Sequence, residues 1–205
     1  MRKTLLALLC ALLLPGCAAP SEEAPAPASA PAGRMERMSS SMVESSARPL
    51  PEAEILAAYE WAQRVYGWFD RAPLPLSEES AVLSGATYYR VNMPGVEDLE
   101  DLRTYLRGVF SQELTDRLLD GSGARVRYRN VRGVLYASGE ARERDAGKGE
   151  IRVEVERLAE DLYSVNVMVD LLAEDGKSVA GLESWSFPYA FIEDRWVFTD
   201  FRLVD

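Results

Sequence analysis

From Ile151 onward the apolar residues fall on every second position, and this periodicity narrows the fold more than any other feature of the chain. Ile151, Val153 and Val155 alternate with Arg152, Glu154 and Glu156, while Tyr163, Val165, Val167, Val169 and Leu171 alternate with Ser164, Asn166, Met168 and Asp170. A period of two places successive side chains on opposite faces, so each run predicts a strand with one buried face. The Asp175-Gly176 pair predicts a tight hairpin turn into a strand through Trp185, Phe187, Tyr189 and Phe191. Glu193, Asp194 and Arg195 turn the chain again into Trp196, Val197, Phe198, Phe201 and Leu203. The apolar phase shifts between Phe198 and Phe201, which predicts a bulge near Thr199-Asp200. Pro188 has no N–H to give a ladder and fits an edge or another bulge.

Upstream the period changes. Pro51 opens a helix with Glu52 and Glu54 in its first turn, where the positive end of the helix dipole favours acids. Ile55, Tyr59, Ala62, Tyr66 and Phe69 form one apolar stripe and Ala58, Trp61, Val65 and Trp68 an adjacent one, which predicts a helix lying deep against a sheet. Gln63 and Arg64 mark its wet side, and Pro73 and Pro75 end it. Residues 76–86 read as irregular and residues 87–93 as a strand rich in aromatic and branched side chains. Asp98 then caps a helix carrying Leu99, Leu102, Leu106 and Val109, and Ser111 restarts a second one with Leu114, Leu118 and Leu119 before Asp120-Gly121. Residues 125–130 and 133–138 are short strand candidates. An N-terminal helix, one strand, two short helices and a long antiparallel meander together predict an α+β domain in which helices cover one face of a curled sheet. That order is close to cystatin-like and NTF2-like layouts.

The remaining segments set the compartment. Arg2 and Lys3 precede an apolar run of about ten residues, too short to cross a hydrocarbon core of ~30 Å as a helix, so residues 1–16 read as a signal peptide. Its end, Leu14-Pro15-Gly16-Cys17, resembles the lipobox of bacterial lipoproteins, which implies lipid on Cys17 and a mature chain anchored to the outer face of a membrane. Residues 17–50 are rich in Ala, Pro, Ser and Glu, bury too little to offset ordering entropy, and predict a disordered tether reaching about 30 Å. Residues 51–205 are left as a single domain.

That domain has no Cys and no His. Disulfides, Ser-His-Asp and Cys-His catalysis and the usual nitrogen and sulfur zinc sites are therefore excluded, and no catalytic residue, metal or cofactor is expected. A hydrolase built on two carboxylates survives on paper without a recognisable signature. The chain carries 23 basic residues against 33 acids, a net charge of −10, with the excess of acid lying in the domain. Such a domain repels nucleic acid and anionic lipid and favours a basic partner.

Several stretches are similar to the bacterial DL-endopeptidase inhibitors, secreted proteins that restrain cell-wall peptidases of the NlpC/P60 type. These are Tyr88-Tyr89-Arg90-Val91, Leu99, residues 102–106, Phe110-Ser111, Tyr128, residues 133–136, the turn at Asp175-Gly176 and residues 196–201, spread over about 145 residues from Tyr59 onward. The resemblance implies a peptidase inhibitor whose loop, projecting between two strands, enters the active-site cleft of an NlpC/P60-type endopeptidase. The segment in the matching place is residues 138–149, whose Glu140, Arg142, Glu143, Arg144, Asp145 and Lys148 become the candidate partner-binding residues, with Asp145 at the tip offering its carboxylate. A loop longer than closure needs is frequently functional, although a solvated connection fits the same residues. The alternative is a small-ligand-binding or sensor module with a cone-shaped pocket, in which Tyr88, Tyr89 and Arg90 line the cavity and Arg90 grips an acidic ligand bidentately. Packing of the tyrosines in the sheet, with Arg90 paired to an acid, is the plainer reading of those residues.

Overall fold

Pro51 sits at the N-cap of helix α1 (Glu52–Asp70) with φ −60° and ψ 145°, and its carbonyl accepts from Glu54 N at 3.0 Å and Ile55 N at 3.4 Å. A computed structural model describes residues 47–120 and 126–204, all within one unit, Val43–Asp205. The signal segment, Cys17, residues 18–46 of the tether, Gly121 and Arg125 lie outside the described residues. Leu50, at the end of the tether by composition, exchanges hydrogen bonds with the Tyr163 hydroxyl, donating at 3.0 Å and accepting at 3.5 Å. No helix of the described residues is long and apolar enough to cross a membrane.

The first apolar stripe of α1 is buried through Ile55, Tyr59 and Ala62, joined by Val65. The second is not uniformly so. Trp61 is 37% exposed, meets Trp68 edge-on at 6.4 Å and carries the Arg64 guanidinium 4.8 Å above its ring. Wide indole surface is thus partly covered by neighbouring side chains on the helix surface and by Tyr105 rather than by a sheet.

Among the described residues two antiparallel four-stranded sheets follow, where the sequence predicts one curled sheet, so the domain is α+β with three helices described. The first sheet contains β1 (Leu76–Leu83), β2 (Ala86–Val91), β3 (Tyr128–Val131) and β4 (Val134–Ser138) in the order β1-β2-β4-β3. Residues 76–86, read as irregular, are therefore mostly strand. β1 is an edge whose Glu78, Glu79 and Ser80 are all exposed, so it carries no alternation and is held by its ladder to β2. The turn between them, Ser84-Gly85, has φ of 51° and 83°, and Arg132-Gly133 repeats this between β3 and β4 with 54° and 84°. Two consecutive positive φ values make the two-residue turn whose twist matches that of paired strands.

Between β2 and β3, Asp98 caps α2 (Leu99–Arg107) by accepting from Glu100 N and Asp101 N, while Asp101 returns a bond to Asp98 N. Ser111 Oγ accepts from Leu114 N at 3.3 Å at the start of α3 (Gln112–Asp120). The junction of the two helices then docks on the second sheet, with Ser111 N donating to Phe198 O at 2.9 Å and Phe198 N to Val109 O at 3.0 Å.

The second sheet runs β5 (Lys148–Ala159), β6 (Leu162–Leu172), β7 (Val179–Ile192) and β8 (Arg195–Phe198) in chain order. The alternation read from the sequence holds on β5, where Arg152 and Glu154 are exposed, and in part on β6, where Tyr163, Val165, Val167 and Val169 are buried but so are Ser164 and Asp170 of the opposite face. The turn after β6 is longer than a two-residue hairpin. Ala173 N donates to Ser178 O, and Asp175 Oδ1 accepts from Lys177 N at 2.9 Å and Ser178 N at 2.8 Å. The Ser178 bonds hold the Asp175 carboxyl down at about 2.

The expected bulge at Thr199-Asp200 is instead the end of β8. The chain leaves the sheet after Phe198, so the phase changes because pairing stops. Pro188 lies at the corresponding place on β7, where its carbonyl accepts from Thr199 N at 3.1 Å just beyond the β8 ladder. N and O of one strand residue face the same side, so the missing N–H of Pro188 points where no strand remains. Phe201 then turns back into one core shared by helices and both sheets, its ring against Tyr59, Tyr66, Phe110, Phe187 and Phe198.

Candidate functional site

Residues 139–147 join β4 of the first sheet to β5 of the second, so they form a crossing between sheets and not a hairpin. All nine are exposed, yet the backbone is fastened repeatedly. Arg127 Nε donates to Phe69 O at 3.0 Å and its Nη1 to Glu140 O, clamping the loop entrance to the end of α1. Arg142 N donates to Arg71 O at 2.8 Å, and the Arg142 guanidinium pairs with Asp70. At the exit, Lys148 N donates to Asp145 O at 3.1 Å and the Lys148 ammonium pairs with Glu183.

The candidate side chains separate by direction. Glu140 contributes its carbonyl to the Arg127 clamp, Glu143 is exposed, and Arg144 lies over a groove lined by Tyr59 and Gln63 of α1 and Ile151 and Val153 of β5. Asp145 does not extend a bare carboxylate from a tip, because its Oδ1 accepts from Gly147 N at 2.9 Å. Short Asx side chains close turns on their own backbone two residues on, and here that chemistry prevails. Lys148 and Gly149 belong to β5, and a Cβ at Gly149 would stand 2.9 Å from Leu172 Cδ2 and 3.2 Å from Asp170 Cβ, so a larger residue there would have to displace the Leu172 side chain.

Tyr88, Tyr89 and Arg90 are not brought together. Tyr88 is 8% exposed and donates its hydroxyl to Val126 O at 3.1 Å, whereas Tyr89 lays its ring against Gly139. Arg90 pairs with Glu79 at 3.1 Å, and Glu79 also accepts from the Tyr136 hydroxyl at 2.7 Å. The Tyr136 bond, then that of Arg90, holds the Glu79 carboxyl below its ordinary range. Arg90 borders an open depression beside Asn92 and Glu97 that neither tyrosine reaches. Among the described residues no group of three or more acids could hold a metal ion.

A larger feature lies beside the loop. An open cleft of about 820 Å³ is bordered by Tyr66 and Asp70 of α1, Arg117 and Leu118 of α3, Arg142 of the loop and residues 200–203. Arg117 pairs with Asp200 at 3.4 Å and with Glu113 at 3.5 Å. Arg202 instead stacks on Trp185, 4.4 Å from the ring centroid. Burial, and next the Asp70 charge, push the Tyr66 phenol above its ordinary range, so at neutral pH it is a donor. These residues come from four distant segments, and no local spacing announces them. Compared with known proteins, the chain matches no family model and no curated sequence.

Proposed function

We propose that this is a lipid-tethered, extracytoplasmic, non-catalytic protein that binds an NlpC/P60-type cell-wall endopeptidase and restrains it by seating residues 139–147 in the enzyme's cleft. The observation that carries the reading is the combination of full exposure with fastening at both ends, by Arg127 and Arg142 at the entrance and Asp145 and Lys148 at the exit. A loop already held in one shape loses less conformational freedom on docking, so more of its contact energy appears as affinity. Glu143 stands exposed between Arg142 and Arg144 with Asp145 following, so the surface of the loop carries both signs of charge. The helix laid against antiparallel strands is in keeping with a cystatin-like or NTF2-like domain, and the stretches similar to endopeptidase inhibitors supply the partner class.

The ligand-binding alternative gains no support from the interior, which is filled by Tyr59, Phe110, Phe187, Phe198 and Phe201. It keeps the outer cleft beside Arg142 and Arg202. Purified protein mixed with an NlpC/P60 peptidase should slow muropeptide release in proportion to its concentration. An undiminished rate at micromolar excess contradicts the reading. Asp145→Ala, which frees the turn at Gly147, should weaken inhibition while leaving the unfolding midpoint in place.

A further inference from the structure

We propose that the cleft beside the loop is a binding site for the free C-terminal carboxylate of a peptide, gripped by Arg202. This goes beyond the peptidase reading and does not depend on it.

The argument begins with charge. Three guanidinium groups and two carboxylates border the cleft; Arg142 pairs with Asp70, Arg117 with Asp200, and Arg202 has no carboxylate partner among the described residues. One positive charge is left over. Stacking on Trp185 covers a face of the Arg202 guanidinium but leaves its edge, where the N–H donors lie in a fork that matches a carboxylate. That fork is held in advance. Trp185 Nε1 donates to Glu183 at 3.4 Å, and Glu183 is in turn paired with Lys148, so the platform beneath Arg202 is itself anchored. Ordering it beforehand reduces the entropy a ligand must remove.

A second donor stands nearby, the protonated Tyr66 phenol. The same cleft has an apolar side made by Leu114, Leu118 and Phe201, suited to an aliphatic last side chain. Asp70 and Asp200 at the rim, and a chain charge of −10, tolerate one added negative charge and oppose several. A monoanionic peptide end therefore fits better than a phosphate dianion or a nucleic acid. About 820 Å³ of open space accommodates two or three residues behind the carboxylate.

Calorimetric titration of the full chain with acetyl-Gly-Gly-Leu and with its C-terminal amide tests this. The free acid should bind at least tenfold more tightly than the amide, and Arg202→Gln should erase that difference. Arg202→Lys, which keeps the charge but loses the fork, should fall between the two. If the glutamine variant does not fold, Tyr66→Phe takes its place, because the ring stays and only the donor leaves; it should weaken the acid severalfold and the amide hardly at all. Equal binding of acid and amide, no binding of either at millimolar concentration, or retained preference in a folded Arg202→Gln variant overturns the proposal. Acetyl-leucine binding as tightly as the tripeptide overturns its peptide part and identifies a small organic acid.

Discussion

Residues 139–147 and residues 199–204 both lack regular structure and both border the same cleft, yet they are held by opposite means. The C-terminal stretch is fixed by burial: Phe201 is 3% and Val204 4% exposed, with Phe201 in the middle of the aromatic core. The loop buries no side chain and is fixed by hydrogen bonds and ion pairs from Arg127, Arg142, Asp145 and Lys148. The difference teaches where function can reside. A segment anchored by burial offers a partner only what faces away from the core, Arg202 here, whereas a loop fastened over the surface leaves all of its side chains exposed.

The comparison breaks most visibly at Phe201. Phe201→Ala should cost about 3–5 kcal/mol in denaturant unfolding, the range for an aromatic removed from a packed core. A loss under about 1 kcal/mol would show that the stretch is not part of the core. At the loop exit, Gly149→Ala drives a Cβ to 2.9 Å from Leu172 Cδ2 and 3.2 Å from Asp170 Cβ, and overpacking of this kind costs about 1–3 kcal/mol. Arg127→Ala removes the entrance clamp on Phe69 O and Glu140 O and should cost about 1 kcal/mol. Its sharper readout is amide exchange, which should quicken across residues 139–147 and leave residues 199–204 unchanged.

The smallest effect is one of pH. The Asp175 carboxyl is held at about 2 in the folded chain against 3.8 ordinarily, by Ser178 first and Lys177 after it. A depressed pKa favours the folded state when the group is ionised, so its contribution is complete above about pH 4 and fades as pH falls towards 2. Urea midpoints of the parent and Asp175→Asn should thus differ at pH 7 and converge by pH 2. A gap independent of pH would remove Asp175 from the turn.

The sequence is most legible where one face is buried and one is wet. β5 shows this, since Ile151, Val153 and Val155 are half-buried while Arg152, Glu154 and Glu156 are exposed; on β6, a middle strand, Ser164 and Asp170 are buried along with the apolar face. The cap of α2 was equally readable because Asp98 and Asp101 act within one turn. β1 is illegible for the converse reason: an exposed edge strand has little pattern to display, and its signal is the Ser84-Gly85 turn. The end of β8 reads in the sequence like a bulge, because loss of pairing and a bulge shift the apolar phase alike. Spacing placed the loop but could not foresee that Asp145 would bond its own turn. The stack of Arg202 on Trp185 joins residues from β7 and the C-terminal stretch, and only folding places them together.

The central claim is that the fastened loop, and no other surface, occupies the peptidase. It is tested most directly by replacing residues 140–146 with a Gly-Ser stretch of equal length and measuring muropeptide release beside the parent protein. The account predicts that the replacement loses inhibition at least tenfold while its unfolding midpoint stays near that of the parent. Inhibition of equal strength by the two proteins would contradict it.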